Sequence, residues 1–196
     1  MKIAAQFAVS LFAMFLTACP LQAATEGKTF DGKWWMNSDY SERSGFVNGF
    51  SDCAVWSAHN NAFNTTPEQI VDKITNHLQT HKDELNHSVI EAWQAEAKTI
   101  KAPKERTAGE TWGNPHWYLN SDWWQGENEE SHETYVEGYL SCIQTLLPEG
   151  DERYSRPADY YTNNINSYLT AHKSAHKLAI ASILQRFQDS NRKATS

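Results

Sequence analysis

Nowhere does this sequence alternate apolar and polar residues over the length of a strand, an absence that argues against a β-rich fold. It also lacks a GxSxG elbow, a glycine-rich phosphate loop and an HExxH pair, so no common nucleophile, nucleotide site or zincin centre is nominated. Basic charge is in short supply: 17 Lys and Arg face 24 Asp and Glu, which speaks against nucleic acid and anionic lipid as partners. Cysteine is scarce as well, with three residues, and none has a recognisable catalytic setting.

What is present suffices for one domain. A chain of 196 residues that is 40% hydrophobic and 12% aromatic can bury a sizeable core. Met1-Lys2 followed by the uncharged apolar stretch Ile3 to Leu16 has the form of a bacterial secretory signal, too short for a comfortable membrane span. Two cleavage readings stand side by side. Leu16-Thr17-Ala18-Cys19 fits a lipoprotein signal, in which Cys19 becomes the lipidated N-terminus and the only link to a membrane. Leu21-Gln22-Ala23-Ala24 fits ordinary cleavage after residue 24. Either way Cys53 and Cys142 remain. Loss of Lys2 leaves 16 basic residues against 24 acidic ones, a formal charge of −8 that would suit a basic protein partner or simple solubility.

The chain repeats itself. Trp34-Trp35 and the run Phe46-Val47-Asn48-Gly49-Phe50-Ser51-Asp52-Cys53 recur as Trp123-Trp124 and Tyr135-Val136-Glu137-Gly138-Tyr139-Leu140-Ser141-Cys142, at a constant offset of 89 residues. Downstream the offset becomes 91, aligning Ile74 to Lys82 with Ile165 to Lys173. The organisation expected is a signal over 1–24, a first repeat over 31–98, a linker over 99–119, a second repeat over 120–188 and a flexible tail over 189–196.

Each repeat reads as three helices. The first starts near Ser38 or Ser131 and puts Phe46, Phe50 and Cys53, or Tyr135, Tyr139 and Cys142, on one face. Gly49 and Gly138 inside it cost helix stability and so are candidate packing glycines, admitting another backbone. The second helix opens with Thr66, Pro67 and Glu68, and Pro157 opens its copy. A third carries Val89, Ile90 and Trp93, or Ile180, Ile183, Leu184 and Phe187. The fold expected is all-α, two tandem three-helix repeats packed about a pseudo-twofold axis, where equivalent positions can meet. Cys53 and Cys142 are such positions, and in an oxidising compartment they are expected to form a disulfide, with two buried thiols as the alternative.

Few residues invite chemistry. His77 and His81, and likewise His172 and His176, stand four apart and could present two imidazoles, but no third ligand stands at a diagnostic spacing, so neither a metal nor a cofactor is expected. Asp52 has Ser141 as its counterpart, which leaves no symmetric carboxylate pair for acid-base work and makes a structural role the simpler one. Trp34, Trp35, Trp112, Trp117, Trp123 and Trp124 could stack on sugars or anchor an interface, although recurrence of the pairs favours packing.

The order Gly45 to Asp52, then Thr66-Pro67-Glu68-Gln69-Ile70-Val71, then His77 to Leu85 and an apolar helix to Trp93 resembles the small periplasmic immunity proteins of the type VI secretion amidase-immunity kind. The family pattern is a G-Y-x-x-G-x-x-D helix, a capped second helix ending in L-x-x-H-P-E, and a last apolar helix. The second repeat keeps the first motif in Tyr135-Val136-Glu137-Gly138-Tyr139. Two departures stand out: the unit is doubled, and the family's flanking cysteines are replaced by Cys53 and Cys142 elsewhere. The resemblance implies a non-enzymatic binding protein of the envelope whose helical surface covers the active site of a secreted cell-wall hydrolase. A glycan-binding lipoprotein using the tryptophans is the competing expectation.

Overall fold

A computed structural model describes residues 29–56, 66–97, 119–146, 153–175 and 177–188. The expected export signal with Cys19, Trp112 and Trp117, residues 99–118 of the expected linker, His176 and the expected tail 189–196 lie outside the described residues. The fold is all-α. Its helices are α1 (Gly32–Asn37), α2 (Tyr40–Trp56), α3 (Pro67–Thr80), α4 (Val89–Ala97), α5 (Ser121–Gly126), α6 (Glu129–Leu146), α7 (Ala158–Ala171) and α8 (Ile180–Leu184), with 3-10 turns at Lys82–Asn86 and Gln185–Phe187. Among the described residues there is no strand, only the isolated bridges Asp31 with Ser88 and Asn120 with Ala179. None of the described helices is long and apolar enough to cross a membrane.

Among the described residues the expectation of three helices per repeat is corrected to four. A short helix carrying the tryptophan pair precedes the long one. Asp31 starts it by accepting the Trp34 amide at 2.8 Å, and Asn120 does the same for Trp123 at 3.1 Å. At six residues, α1 and α5 are too short to display a helical period in sequence. The long helices begin near Ser38 and Ser131 as expected, at Tyr40 and Glu129. Asp39 and Glu42 exchange hydrogen bonds with each other's amides ahead of α2, and Asn128 accepts the Ser131 amide at 2.8 Å ahead of α6.

At α3 the sequence signals hold: Thr66 and Gln69 form a capping box and Pro67 takes the first turn. Its copy differs. Pro157 sits at the cap of α7 without a side-chain bond, and the nearby Arg156 amide donates instead to the Tyr161 hydroxyl at 3.1 Å. Even so, Pro67–Thr80 and Ala158–Ala171 coincide at the 91-residue offset, as do the starts of α4 and α8.

The core lies where α2 meets α6, the most extensive helix contact of the molecule. A single apolar face was expected on α2, yet every residue from Gly45 to Ala54 is buried, so this helix runs through the interior rather than over it. Glycine makes the approach feasible. A Cβ on Gly49 would enter the Tyr135 carbonyl and come within 3.0 Å of the Tyr139 amide nitrogen. One on Gly138 would enter the Phe46 carbonyl and lie 3.0 Å from the Phe46 Cα. The 89-residue offset exchanges these two sets of contacts.

Gly138→Ala is therefore expected to lose about 3 kcal/mol of stability, because backbone cannot yield as a flexible side chain can, despite the better helix propensity of alanine. Gly126→Ala, with nothing within 4 Å of its would-be Cβ, is expected to stay within about 0.5 kcal/mol of the parent. Urea midpoints of the two variants check this, and equal midpoints would remove the close backbone approach from the account.

Candidate functional site

The α2–α6 seam brings Cys53 and Cys142 together as a disulfide, with Cα atoms 6.0 Å apart and both side chains fully buried. Next to it, Asp52 is 1% exposed and accepts the Tyr135 hydroxyl at 2.6 Å, while the Leu119 amide approaches the same oxygen at 3.4 Å. Burial pushes the Asp52 carboxyl up to about 8, against the downward pull of those two donors. Burial, and after it the Asp52 charge, holds the Tyr135 phenol well above its usual range. Asp52 thus ties the start of the second repeat to the first repeat's long helix. Its counterpart Ser141 is half-buried and makes no carboxylate pair with it.

Of the four histidines singled out, His77 and His81 do come together, their rings stacked at 4.3 Å. They do not face a common empty position. His77 is buried, with Nε2 2.8 Å from Glu84 and Nδ1 3.1 Å from Glu96, and His81 Nδ1 lies 3.0 Å from the His77 carbonyl. His172 likewise stacks on Tyr168, at 4.2 Å. No group of three or more His, Cys, Asp or Glu among the described residues is arranged to hold a metal.

A ring with carboxylates on both nitrogens carries two protons. Burial works against that charge, but the hydrogen bonds and charges of Glu84 and Glu96 outweigh it and raise the His77 pKa. A folded-state pKa above the unfolded value gives stability that is complete below about pH 6.5 and is lost as pH rises through the raised pKa. His77→Gln should therefore cost about 1–3 kcal/mol at pH 5.5 and distinctly less at pH 9. Urea titrations at the two pH values check it; an equal cost at both would mean a neutral, merely packed ring.

The tryptophan pairs are mostly spent on packing. Trp35 and Trp124 are 0% and 2% exposed. Their indole N–H groups donate to Thr75 at 2.9 Å and Asn166 at 2.6 Å, positions related by the 91-residue offset. Trp34 and Trp123 are half-buried against the core.

Sequence reasoning passed over the residues that stack on these rings. In the first repeat it is Arg43, whose guanidinium lies 5.9 Å from the Trp35 ring centre and donates to the Ser38 carbonyl at 2.7 Å. In the second it is His132, flat on Trp124 at 4.0 Å, with Nε2–H donating to the Trp124 carbonyl at 2.5 Å. Burial lowers the His132 pKa, so the ring is neutral at neutral pH. Beside it a cleft of about 560 Å3 opens between α5, α6 and α7, lined by Trp124, Gln125, Glu127, His132, Asn166 and Lys173 among others. The pairing of Arg43 with His132 at the 89-residue offset was the signal available for finding it.

Comparison with protein-family models, with curated proteins and with solved structures finds no match for this chain.

Proposed function

We propose that this chain is an exported, non-enzymatic binding protein of the bacterial envelope that occludes a cell-wall-degrading protein partner. The observation that carries the reading is the acidic segment that opens the second repeat. Between Asn120 and Leu146 there are six carboxylates and no Lys or Arg, and Asp122, Glu127, Glu129 and Glu130 are exposed. Such a segment favours encounter with a basic surface and disfavours anionic ones.

Two further features support it. The Gly45 to Asp52, Thr66 to Val71 and His77 to Leu85 motifs resemble periplasmic immunity proteins. A disulfide between Cys53 and Cys142 suits an oxidising compartment, in keeping with the signal read at the N-terminus. Asp52, Tyr135 and His77 are each committed to internal bonds, which suits a surface-acting protein.

Affinity capture from envelope extract with residues 25–196, followed by mass spectrometry, tests this directly. Recovery of a cell-wall hydrolase is expected. Recovery of no protein partner, together with quenching of tryptophan fluorescence by polysaccharide fragments, would transfer the role to glycan binding.

A further inference from the structure

We infer that the cleft between α5, α6 and α7 is a receptor for an arginine side chain presented by a protein partner. The argument begins with what the first repeat does for itself. There Arg43, in the first turns of α2, reaches back over the end of α1. Its guanidinium lies over Trp35 and donates to the Ser38 carbonyl at 2.7 Å, with the Met36 carbonyl at 3.5 Å. This is an arginine site with its arginine built in.

The same place exists in the second repeat, but none of the described arginines is seen to fill it. At the 89-residue offset Trp35, Met36, Ser38 and Arg43 become Trp124, Gln125, Glu127 and His132, and all four of these line the cleft. The imidazole is shorter than the side chain it replaces. It covers the Trp124 ring and takes that residue's own carbonyl, leaving the cleft open outward along Gln125 and Glu127, the counterparts of the residues that Arg43 engages.

The electrostatics have changed in the same direction. Ser38 is replaced by Glu127, which is exposed, lines the cleft and brings a carboxylate to it, one oxygen of which accepts the Ser131 hydroxyl at 3.4 Å. His132 is neutral and adds no opposing charge. The exposed carboxylates of Asp122, Glu127, Glu129 and Glu130 make the approach attractive to a positive group. Among the described residues of the lining, Lys173, on the cleft's α7 side, is the opposing charge, and its counterpart Lys82 is present in the repeat that holds Arg43.

Geometry selects arginine over lysine. A planar fork of N–H donors can meet a backbone carbonyl and the Glu127 carboxylate together while its face lies against the His132 ring, whereas an ammonium is a point charge with a strong hydration shell. The inference rests on the occlusion reading only for the statement that the arginine belongs to a protein; the cleft's preference stands apart from it.

The test is a nuclear magnetic resonance titration of the 15N-labelled mature chain with N-acetyl-arginine amide, and separately with N-acetyl-lysine amide. Expected are shifts at the Trp124 indole N–H and the Gln125 and Glu127 amides, with the arginine probe bound about tenfold more tightly than the lysine probe. Glu127→Gln should weaken the arginine probe about tenfold. His132→Arg, which recreates the first repeat's arrangement, should keep the fold and abolish the response by filling the cleft from within. Shifts scattered over the surface, equal response to both probes, or an undiminished response in folded His132→Arg would overturn the proposal. If that variant does not fold, Glu127→Gln, at an exposed position, decides the matter alone. Failure here with successful capture of a hydrolase rejects the arginine receptor and leaves occlusion standing. Specific probe binding without any captured protein does the reverse.

Discussion

Joint replacement of Cys53 and Cys142 by alanine is expected to lower the unfolding free energy by about 4 to 5 kcal/mol. The two residues are 89 apart in sequence, so the bond closes a long loop in the unfolded chain and removes much of its freedom, while the folded chain, already held by the α2–α6 seam, loses little. Two buried alanines also leave a small void where the sulfurs were, which adds to the cost. Stabilities of small domains amount to about 5–15 kcal/mol, so the variant is expected to be only marginally folded at growth temperature. Guanidinium unfolding of the parent, the reduced parent and the double variant checks this. A loss under about 1 kcal/mol would mean that the unfolded chain is already compact around this region.

An equally large effect is expected from pH. The folded Asp52 carboxyl is pushed up to about 8, so between roughly pH 4 and pH 8 the native state holds a proton that the unfolded chain has released. Stability therefore falls as pH rises through that window, by an amount on the order of 5 kcal/mol for the full span. The sign is opposite to that of an ordinary salt-bridged carboxylate. Asp52→Asn should remove the slope: the amide can still accept from Leu119 and stay bonded to Tyr135, and it has no charge to bury. The variant is expected to match the parent near pH 4 and to exceed it increasingly toward pH 8. Asp52→Ala differs, since it strands the buried Tyr135 hydroxyl and costs stability at every pH. Urea midpoints across pH 4 to 8 distinguish the three chains, and a parent curve rising with pH would contradict the burial argument.

Agreement between the two halves of the sequence made much of the fold legible. Gly49 and Gly138, Cys53 and Cys142, and the long helices that carry them stand at one offset, and a repeated glycine inside a helix has little reason to exist without a backbone against it. The tryptophan helices α1 and α5 were not legible, because one and a half turns show no period and their caps are single residues. Burial of α2 on every side was obscured as well, since Asn48, Ser51 and Asp52 are polar and nevertheless inside.

The site residues were hidden for a different reason: they are where the halves disagree. Asp52 against Ser141 and Tyr135 against Phe46 differ together, giving the seam one carboxylate and one hydroxyl to meet it. Arg43 against His132 and Ser38 against Glu127 also differ together, and the cleft of the second repeat is lined by the two replacements. A contact between residues 83 apart, such as Asp52 with Tyr135, leaves no local trace in composition or period.

The most direct test of occlusion is the residual activity of a hydrolase captured from the envelope, measured on cell-wall substrate against increasing amounts of the mature chain. The account predicts that hydrolysis falls linearly and vanishes near one equivalent. Full activity at a large excess of the chain would contradict it.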